Sequence, residues 1–426
     1  MVDYVNLDYN PTDNDLIAMY YVKISPECRN LHHASEEIAK ESSIGTWTEI
    51  STLSPEIAKK LKPSTFYINS EKNIIKIAYP KELFEANNLP QILSAIAGNI
   101  FGMKVLKNLR LLDIRFPKDI VQVYKGPKFG IEGIRKLIKV KNRPLLGTIV
   151  KPKVGLTEIE HAKVCGEAWS GGLDIVKDDE NLTNMTFNKF EKRIIETLKI
   201  RDKIEKYSGE KKLYMPNITA PLSIMKKRAD FVLENGGEYV MVDIVTIGFS
   251  ALQDLREYLD DKDIIIHAHR AMHAAFTRNK RHGITMLVLA KLMRLLGMDQ
   301  LHTGTIIGKM EGGKSEVLEI NRVITQQKII GNNTTLLDQD WSNLKPILPV
   351  ASGGLSPLHV PELIRILGKD MVFQFGGGCH GHPMGTKAGA KAIRQAINAA
   401  LEGIELKEYA KNNIELGKAI EKWGKK

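Results

Sequence analysis

Four consecutive residues, Lys177-Asp178-Asp179-Glu180, place one amine and three carboxylates directly after the β-rich run LDIV. Side chains alternate along a strand, so Lys177 and Asp179 fall on one face, while Glu180, just past the strand end, is free to turn toward the same point. Two carboxylates this close suit an oxygen-preferring cation such as Mg2+, yet an ammonium group has no lone pair and would repel it. A neutral amine that has added CO2 removes the conflict, because the resulting carbamate is an anionic oxygen ligand. The other reading of the same residues is a Lys–Asp–Glu ion-pair cluster.

Further chemically capable residues close other β-rich runs. Lys151 and Lys153 follow the run LLGTIV, Asn217 ends LYMP, and His267, His269 and Arg270 end DIIIHAHR. His302 lies in QLHTGT, and two glycine-rich turns, Ser352-Gly353-Gly354 and Gly376-Gly377-Gly378, follow ILPVA and MVFQF. Glycine lets a phosphate come close to backbone N–H groups, although it also shapes tight turns without any ligand. Arg270 and His302 would hold a second anion through the guanidinium fork, and two anion sites across one opening imply a bisphosphate. His273 and His282, expected further along the helix that follows DIIIHAHR, are read as structural and assigned no chemistry.

Glycines bracket Lys309 in the segment Gly304–Gly313, as they would in a hinged lid that carries a lysine onto substrate. A static loop with a solvated lysine is the alternative. Gly308–Ser315 also fits the P-loop pattern formally, but an acidic Mg2+ strand should follow such a loop, and the apolar run ending in Asp, Tyr239–Asp243, precedes it.

The elements that must position these groups are legible from residue 145 onward. Eight β-rich runs, Leu145–Lys151, Leu173–Lys177, Leu213–Ile218, Tyr239–Val245, Asp263–His269, Gln300–Thr305, Ile347–Ser352 and Met371–Phe375, alternate with helical patterns. Their number and spacing fit an α/β fold with a C-terminal TIM (β/α)8 barrel, whose catalytic groups sit at the carboxyl ends of the strands. A doubly wound open sheet is the structural alternative. Residues 1–125 mix strand-like segments (IAMYYVKI, TFYINS, IIKIAYP) with helix-like ones, as an N-terminal α+β domain would. The boundary is expected at Tyr124-Lys125-Gly126-Pro127, with the barrel and C-terminal helices filling 126–426.

Composition narrows the field. The chain has 426 residues, 43% of them hydrophobic, and no apolar run long enough to span a bilayer, which excludes a membrane-spanning protein. Its net charge of +11 comes from basic residues spread along the chain without a block, so a solvated basic surface or an anionic substrate is expected rather than nucleic acid. Three widely separated cysteines and a polar, acidic start point to the reducing cytoplasm.

Taken together, GTIVKPKVGL, GGLDIVKDDENL, HAHRAMHAA, HTGTIIGKMEGG, VASGGL and QFGGG resemble, in this order, the large subunit of ribulose-1,5-bisphosphate carboxylase/oxygenase (Rubisco). ESSIGTWTEI and AGNIFGMK resemble two N-terminal segments of the same family, so the resemblance covers nearly the whole chain. It implies Mg2+ held by carbamylated Lys177 with Asp179 and Glu180, and CO2 plus water added to ribulose 1,5-bisphosphate through a Mg-stabilised enediolate, giving two 3-phosphoglycerates with O2 competing. Lys151 and His269 would be acid/base groups, Lys153 a substrate ligand, and Lys309 the lid lysine. Arg270 and His302 resemble the ligands of one phosphate; Ser352, Gly353, Gly354, Gln374, Phe375, Gly376 and Gly377 resemble those on the other side of the substrate. Glu41, Thr46, Trp47 and Asn99 match residues supplied by a neighbouring subunit, which implies a homodimer or an assembly of dimers. Ile149, the lid sequence KMEGG and the short ends are similar to the archaeal Form III branch, which works without small subunits in AMP and nucleoside salvage. Lys177 is expected to be exposed, and an exposed lysine with an ordinary pKa, about 10.4, is mostly protonated at neutrality, so activation by CO2 and Mg2+ is expected to favour mildly alkaline pH.

Overall fold

The computed structural model describes residues 3–307, 313–332 and 334–424. Contacts divide the chain into two units, one of residues 1–126, 272–297 and 326–344, the other of 127–271, 298–325 and 345–426.

The second unit contains the eight parallel strands read from the sequence. They are β1 (Leu145–Ile149), β2 (Ile175–Lys177), β3 (Leu213–Met215), β4 (Tyr239–Asp243), β5 (Ile265–His269), β6 (Gln300–His302), β7 (Leu348–Ser352) and β8 (Val372–Phe375). They pair in chain order, and β8 returns to β1 through Gln374 opposite Gly147. Between β3 and β4 a parallel bridge, Asn217 to Met241, completes the ring. The Ile218 and Met241 N–H groups donate across it to Met241 and Pro216 carbonyls at 3.0 and 2.8 Å. A closed ring rules out the doubly wound sheet.

Strand alternation decides what fills the barrel. Leu145, Ile175, Leu213, Tyr239, Ile265, Leu348 and Val372 pack into one buried cluster with Ile134 and Ile138 of the helix Gly130–Ile138. Counting on by two toward the carboxyl ends brings Lys177, His267, Gln374 and then Asp243, His269 and Ser352 onto the same inward face. Apolar side chains thus close one end and titratable ones crowd the other. The C-terminal stretch folds as separate helices, Thr386–Glu402 and Ile414–Trp423 being the longest.

The first unit is built on a sheet of the antiparallel strands Asp15–Ile24, Ser64–Asn69, Ile74–Pro80 and Leu106–Arg115. The last of these, LKNLRLLDIR, carries no clean alternation and was not anticipated. Nor was the origin of its edge: residues 272–297, expected to lie along the helix after the fifth barrel strand, supply a two-residue strand, Gly283–Ile284, parallel to Leu106–Arg115. His282 sits in that segment, accepts from the Leu109 N–H at 3.4 Å and stacks edge-on to Phe101, a structural place that leaves it no chemistry. The helix Met286–Leu295 is anchored within this unit by a buried ion pair, Lys291 Nζ to Asp113 Oδ1 at 2.6 Å, both side chains fully buried. Burial pushes the Asp113 carboxyl up despite Lys291 and two backbone N–H donors, from Ile114 and Leu337. Removing one partner strands the other charge in the core. Lys291→Met is therefore expected to destabilise the protein by about 3–5 kcal/mol, read by urea denaturation; a loss below about 1 kcal/mol would mean the pair is not integral to this core.

Candidate active site

Lys177 ends β2 on the inward face and is fully buried. Its Nζ donates to the Asp178 backbone carbonyl at 2.7 Å and lies 3.1 Å from Met241 Sδ and 3.9 Å from Glu180 Oε2. Burial lowers its pKa, and the nearby carboxylates of Glu180, Asp179 and Asp243 offset this only in part. This corrects the expectation of a solvated lysine with an ordinary pKa: the barrel wall makes the neutral amine more accessible than the sequence suggests.

Asp179 and Glu180 each face a lysine. Lys151 Nζ lies 2.6 Å from Asp179 Oδ2, and Lys153 Nζ lies 3.7 Å from Glu180 Oε1. Burial alone would raise the Asp179 carboxyl, but hydrogen bonds from Lys151 and Asn181 outweigh it and hold the group below its ordinary value. For Glu180 burial is outweighed in the same way by the charges of Lys177 and His269. The peptide carrying both carboxylates is tied down by Asn217, whose Nδ2 donates to the Glu180 carbonyl at 3.0 Å. Among the described residues no three His, Cys, Asp or Glu side chains gather to hold a metal ion. The two carboxylates present would need a third anionic ligand, and Lys177 is the side chain placed to become one.

His269, at the end of β5, has Nδ1 2.8 Å from Asp243 Oδ1 and Nε2 3.7 Å from Glu180 Oε2. An N–H on Nδ1 facing the carboxylate leaves the Nε2 lone pair turned into the mouth. Asp243 was not picked out for this site from the sequence, although its position closing the run YVMVD was the available signal. His302 bonds Ser352 Oγ through Nδ1 at 2.8 Å, so two residues assigned to opposite ends of a substrate are joined directly. The His302 ring stands edge-on to His267 and His269 with centroids 4.8 and 4.9 Å away. Burial holds His267 and His302 well below the usual histidine pKa, helped at His267 by the charge of Lys177 and at His302 by that of His267. His267 is fixed by Gln300, at 2.8 Å, which in turn donates to Tyr239.

Burial lowers the Arg270 guanidinium to about 10, which leaves it charged at neutral pH. Gly304 makes room for it, since a Cβ there would come within 2.9 Å of Arg270 Nη2. The turns after β7 and β8 use glycine for different reasons. Gly353 and Gly354 have φ of 117° and 74°, which L side chains rarely adopt. A Cβ on Gly377 would meet nothing within 4 Å, so neither packing nor a positive φ demands glycine there. Gln374 is buried on the inward face with neither amide atom bonded among the described residues, and Phe375 is buried beside it. Residues 308–312, which include Lys309 and the first five residues of the P-loop-like stretch, lie outside the described residues. Glu41 and Thr46 are half-buried in the first unit, where Asn99 is exposed and Trp47 is 85% exposed.

A lysine and carboxylate centre at the carboxyl mouth of a (β/α)8 barrel defines a barrel enzyme of the usual polarity. Residues 130–423 match the family Ribulose bisphosphate carboxylase large chain, catalytic domain, and residues 3–120 match its N-terminal domain. The chain is 55% identical to the ribulose bisphosphate carboxylase of Methanocaldococcus jannaschii, over 99% of this chain and 100% of that one. Among solved structures it is similar to the octameric Rubisco of Pyrococcus horikoshii, with a TM-score of 0.92 at 50% identity over 99% of this chain and 96% of that one. It is also similar to the dimeric archaeal Rubisco of Hyperthermus butylicus, with a TM-score of 0.93 at 43% identity over 99% and 98%. The chain belongs to the ribulose bisphosphate carboxylase large-chain family and is an enzyme of that family.

The glycine turn after β8 offers a direct test. Gly377→Ala should melt like the wild type while binding inorganic phosphate more weakly. Gly378→Ala, whose Cβ would fall 2.1 Å from the Leu355 carbonyl oxygen, should lose roughly 1–3 kcal/mol of stability. Equal melting of both variants would contradict this division of roles.

Proposed function

We propose that the chain carboxylates D-ribulose 1,5-bisphosphate with CO2 and water to two molecules of 3-phosphoglycerate, with O2 as a competing reactant. The observation that carries this reading is the convergence of Lys151, Lys153, Lys177, His269, Asp179 and Glu180 on one point of the barrel mouth. CO2 adds to the neutral amine of Lys177, forming a C–N bond and releasing one proton, and the burial of that amine favours the neutral form. Carbamylated Lys177, Asp179 and Glu180 would hold Mg2+, which supplies a Lewis acid for the substrate's carbonyl oxygen.

The chain's own groups do the rest. His269 Nε2 and Lys151 Nζ are the proton-transfer groups, the first oriented by Asp243 and the second lying against Asp179. Arg270 with His302 grips one phosphate, Ser352 standing on that side through its bond to His302; Gly353, Gly354, Gln374, Phe375, Gly376 and Gly377 line the approach of the other, and Lys153 reaches substrate oxygens. Lys309, by family resemblance, closes over the substrate and faces the forming carboxylate, where excluded water strengthens its charge. The exposed Trp47, with Glu41, Thr46 and Asn99, completes the site of a neighbouring copy, so the working unit is a homo-oligomer without small subunits. Likeness to archaeal relatives supports a place in AMP and nucleoside salvage. Rubisco-like proteins, which run enolase or isomerase chemistry, generally lose some of these positions; here Lys151, Lys177, His269 and Lys309 are all present.

Incubation with labelled CO2, Mg2+ and ribulose 1,5-bisphosphate should yield labelled 3-phosphoglycerate, and activity should depend on prior exposure to CO2 and Mg2+. Lys177→Ala and Lys177→Arg should abolish it, because neither side chain can form the carbamate; full activity in either would overturn the metal-site reading. Asp243→Asn should lower kcat by about 100-fold or more with little change in KM, since the loss falls on acid/base orientation rather than on substrate binding. A rise in KM alone would place Asp243 outside this role.

A further inference from the structure

Asp178 is the one acidic residue of the Lys177–Glu180 stretch that turns out of the barrel, and it is fully buried. A carboxylate in that place requires several donors to offset its desolvation, and it has them. Oδ2 accepts from Arg193 Nε at 3.1 Å and from the Asn217 backbone N–H at 3.0 Å. Oδ1 accepts from Tyr214 Oη at 2.6 Å, with His161 Nε2 3.1 Å away. Burial would raise this carboxyl, but Arg193 and His161 hold it far below the ordinary carboxylate range.

The partners of this hub are the segments that carry the candidate ligands. Asn217, held through its N–H by Asp178, uses its own Nδ2 to hold the Glu180 carbonyl. Arg193, held by the same carboxylate, reaches on to Asn188 Oδ1 at 2.7 Å and the Thr183 carbonyl at 2.8 Å, pinning the loop that follows Glu180. The Asp178 carbonyl is itself the acceptor for Lys177 Nζ. Turning the Asp178 peptide would therefore move the acceptor of the amine and the inward aim of Asp179 together.

We propose that Asp178 is a positioning residue that sets Lys177, Asp179 and Glu180 for carbamate formation and metal binding without touching either. This rests on the reading of Lys177 as the carbamylated ligand. The Arg193, Tyr214 and Asn217 bonds act as an outer shell behind the ligand-bearing peptide, and losing such a shell typically weakens metal binding about 10- to 100-fold.

The test is trapping of labelled CO2 on Lys177 as a function of Mg2+ concentration, in wild type, Asp178→Asn and Tyr214→Phe, alongside thermal melting and the substrate KM after full activation. Tyr214→Phe removes one hydroxyl and leaves the ring, so it reports even if Asp178→Asn does not fold. The expected result is half-saturation shifted to higher Mg2+ by roughly 10- to 100-fold for Asp178→Asn and in the same direction for Tyr214→Phe, with substrate KM unchanged once activated. Trapping curves that superimpose on wild type while melting temperature falls would overturn the proposal and leave Asp178 a purely structural anchor. If wild type itself traps no CO2 on Lys177, the carbamate reading fails and this one with it; normal wild-type trapping with unshifted variants overturns the positioning role alone.

Discussion

The structure turns on the burial of an amine beside carboxylates. Lys177 sits in the barrel wall with no exposure, and its Nζ has a backbone carbonyl and a thioether as its nearest partners, Glu180 lying further off. Desolvation disfavours its cationic form while the surrounding carboxylates favour it, and desolvation wins. A lysine in bulk water would give the opposite balance and would hold a proton where a CO2 acceptor needs a lone pair. The lysines above it, Lys151 and Lys153, lie nearer solvent and face Asp179 and Glu180. One short stretch of barrel therefore holds the same residue type in two electrostatic settings, separated only by depth.

The histidines obey the same constraint. The His302 ring meets those of His267 and His269 edge-on with centroids within 5 Å, and three imidazolium ions could not share that space in a low-dielectric wall. Burial and nearby positive charge hold His267 and His302 well below the usual histidine pKa, so the fixed positive charge beside them comes from Arg270, which stays protonated even when desolvated. Gln300, Ser352 and Asp243 each take one ring nitrogen and so decide which nitrogen of each ring is left for chemistry. The lower half of the barrel, filled by Leu, Ile, Val, one Met and one Tyr, makes this possible by excluding water beneath the polar layer.

Much of this was legible in the chain itself, because strand periodicity and residue chemistry are local. The eight β-rich runs, the inward pairing of Lys177 with Asp179, and the polar or glycine ending of most strands follow from alternation and from where barrels put their chemistry. Local pattern could not show how deep a side chain lies, which segments of the chain associate far from their sequence neighbours, or who pairs with whom. So the sequence presents Lys177 as exposed, puts the segment around His282 along a barrel helix although it extends the sheet of the other unit, and gives no sign that Asp243 pairs with His269. Residue types and spacing along the chain determined the fold class and the candidate groups; depth, register and pairing across β2, β4 and β5 decided their protonation and aim, because desolvation and hydrogen bonding depend on neighbours brought together only by the closed barrel.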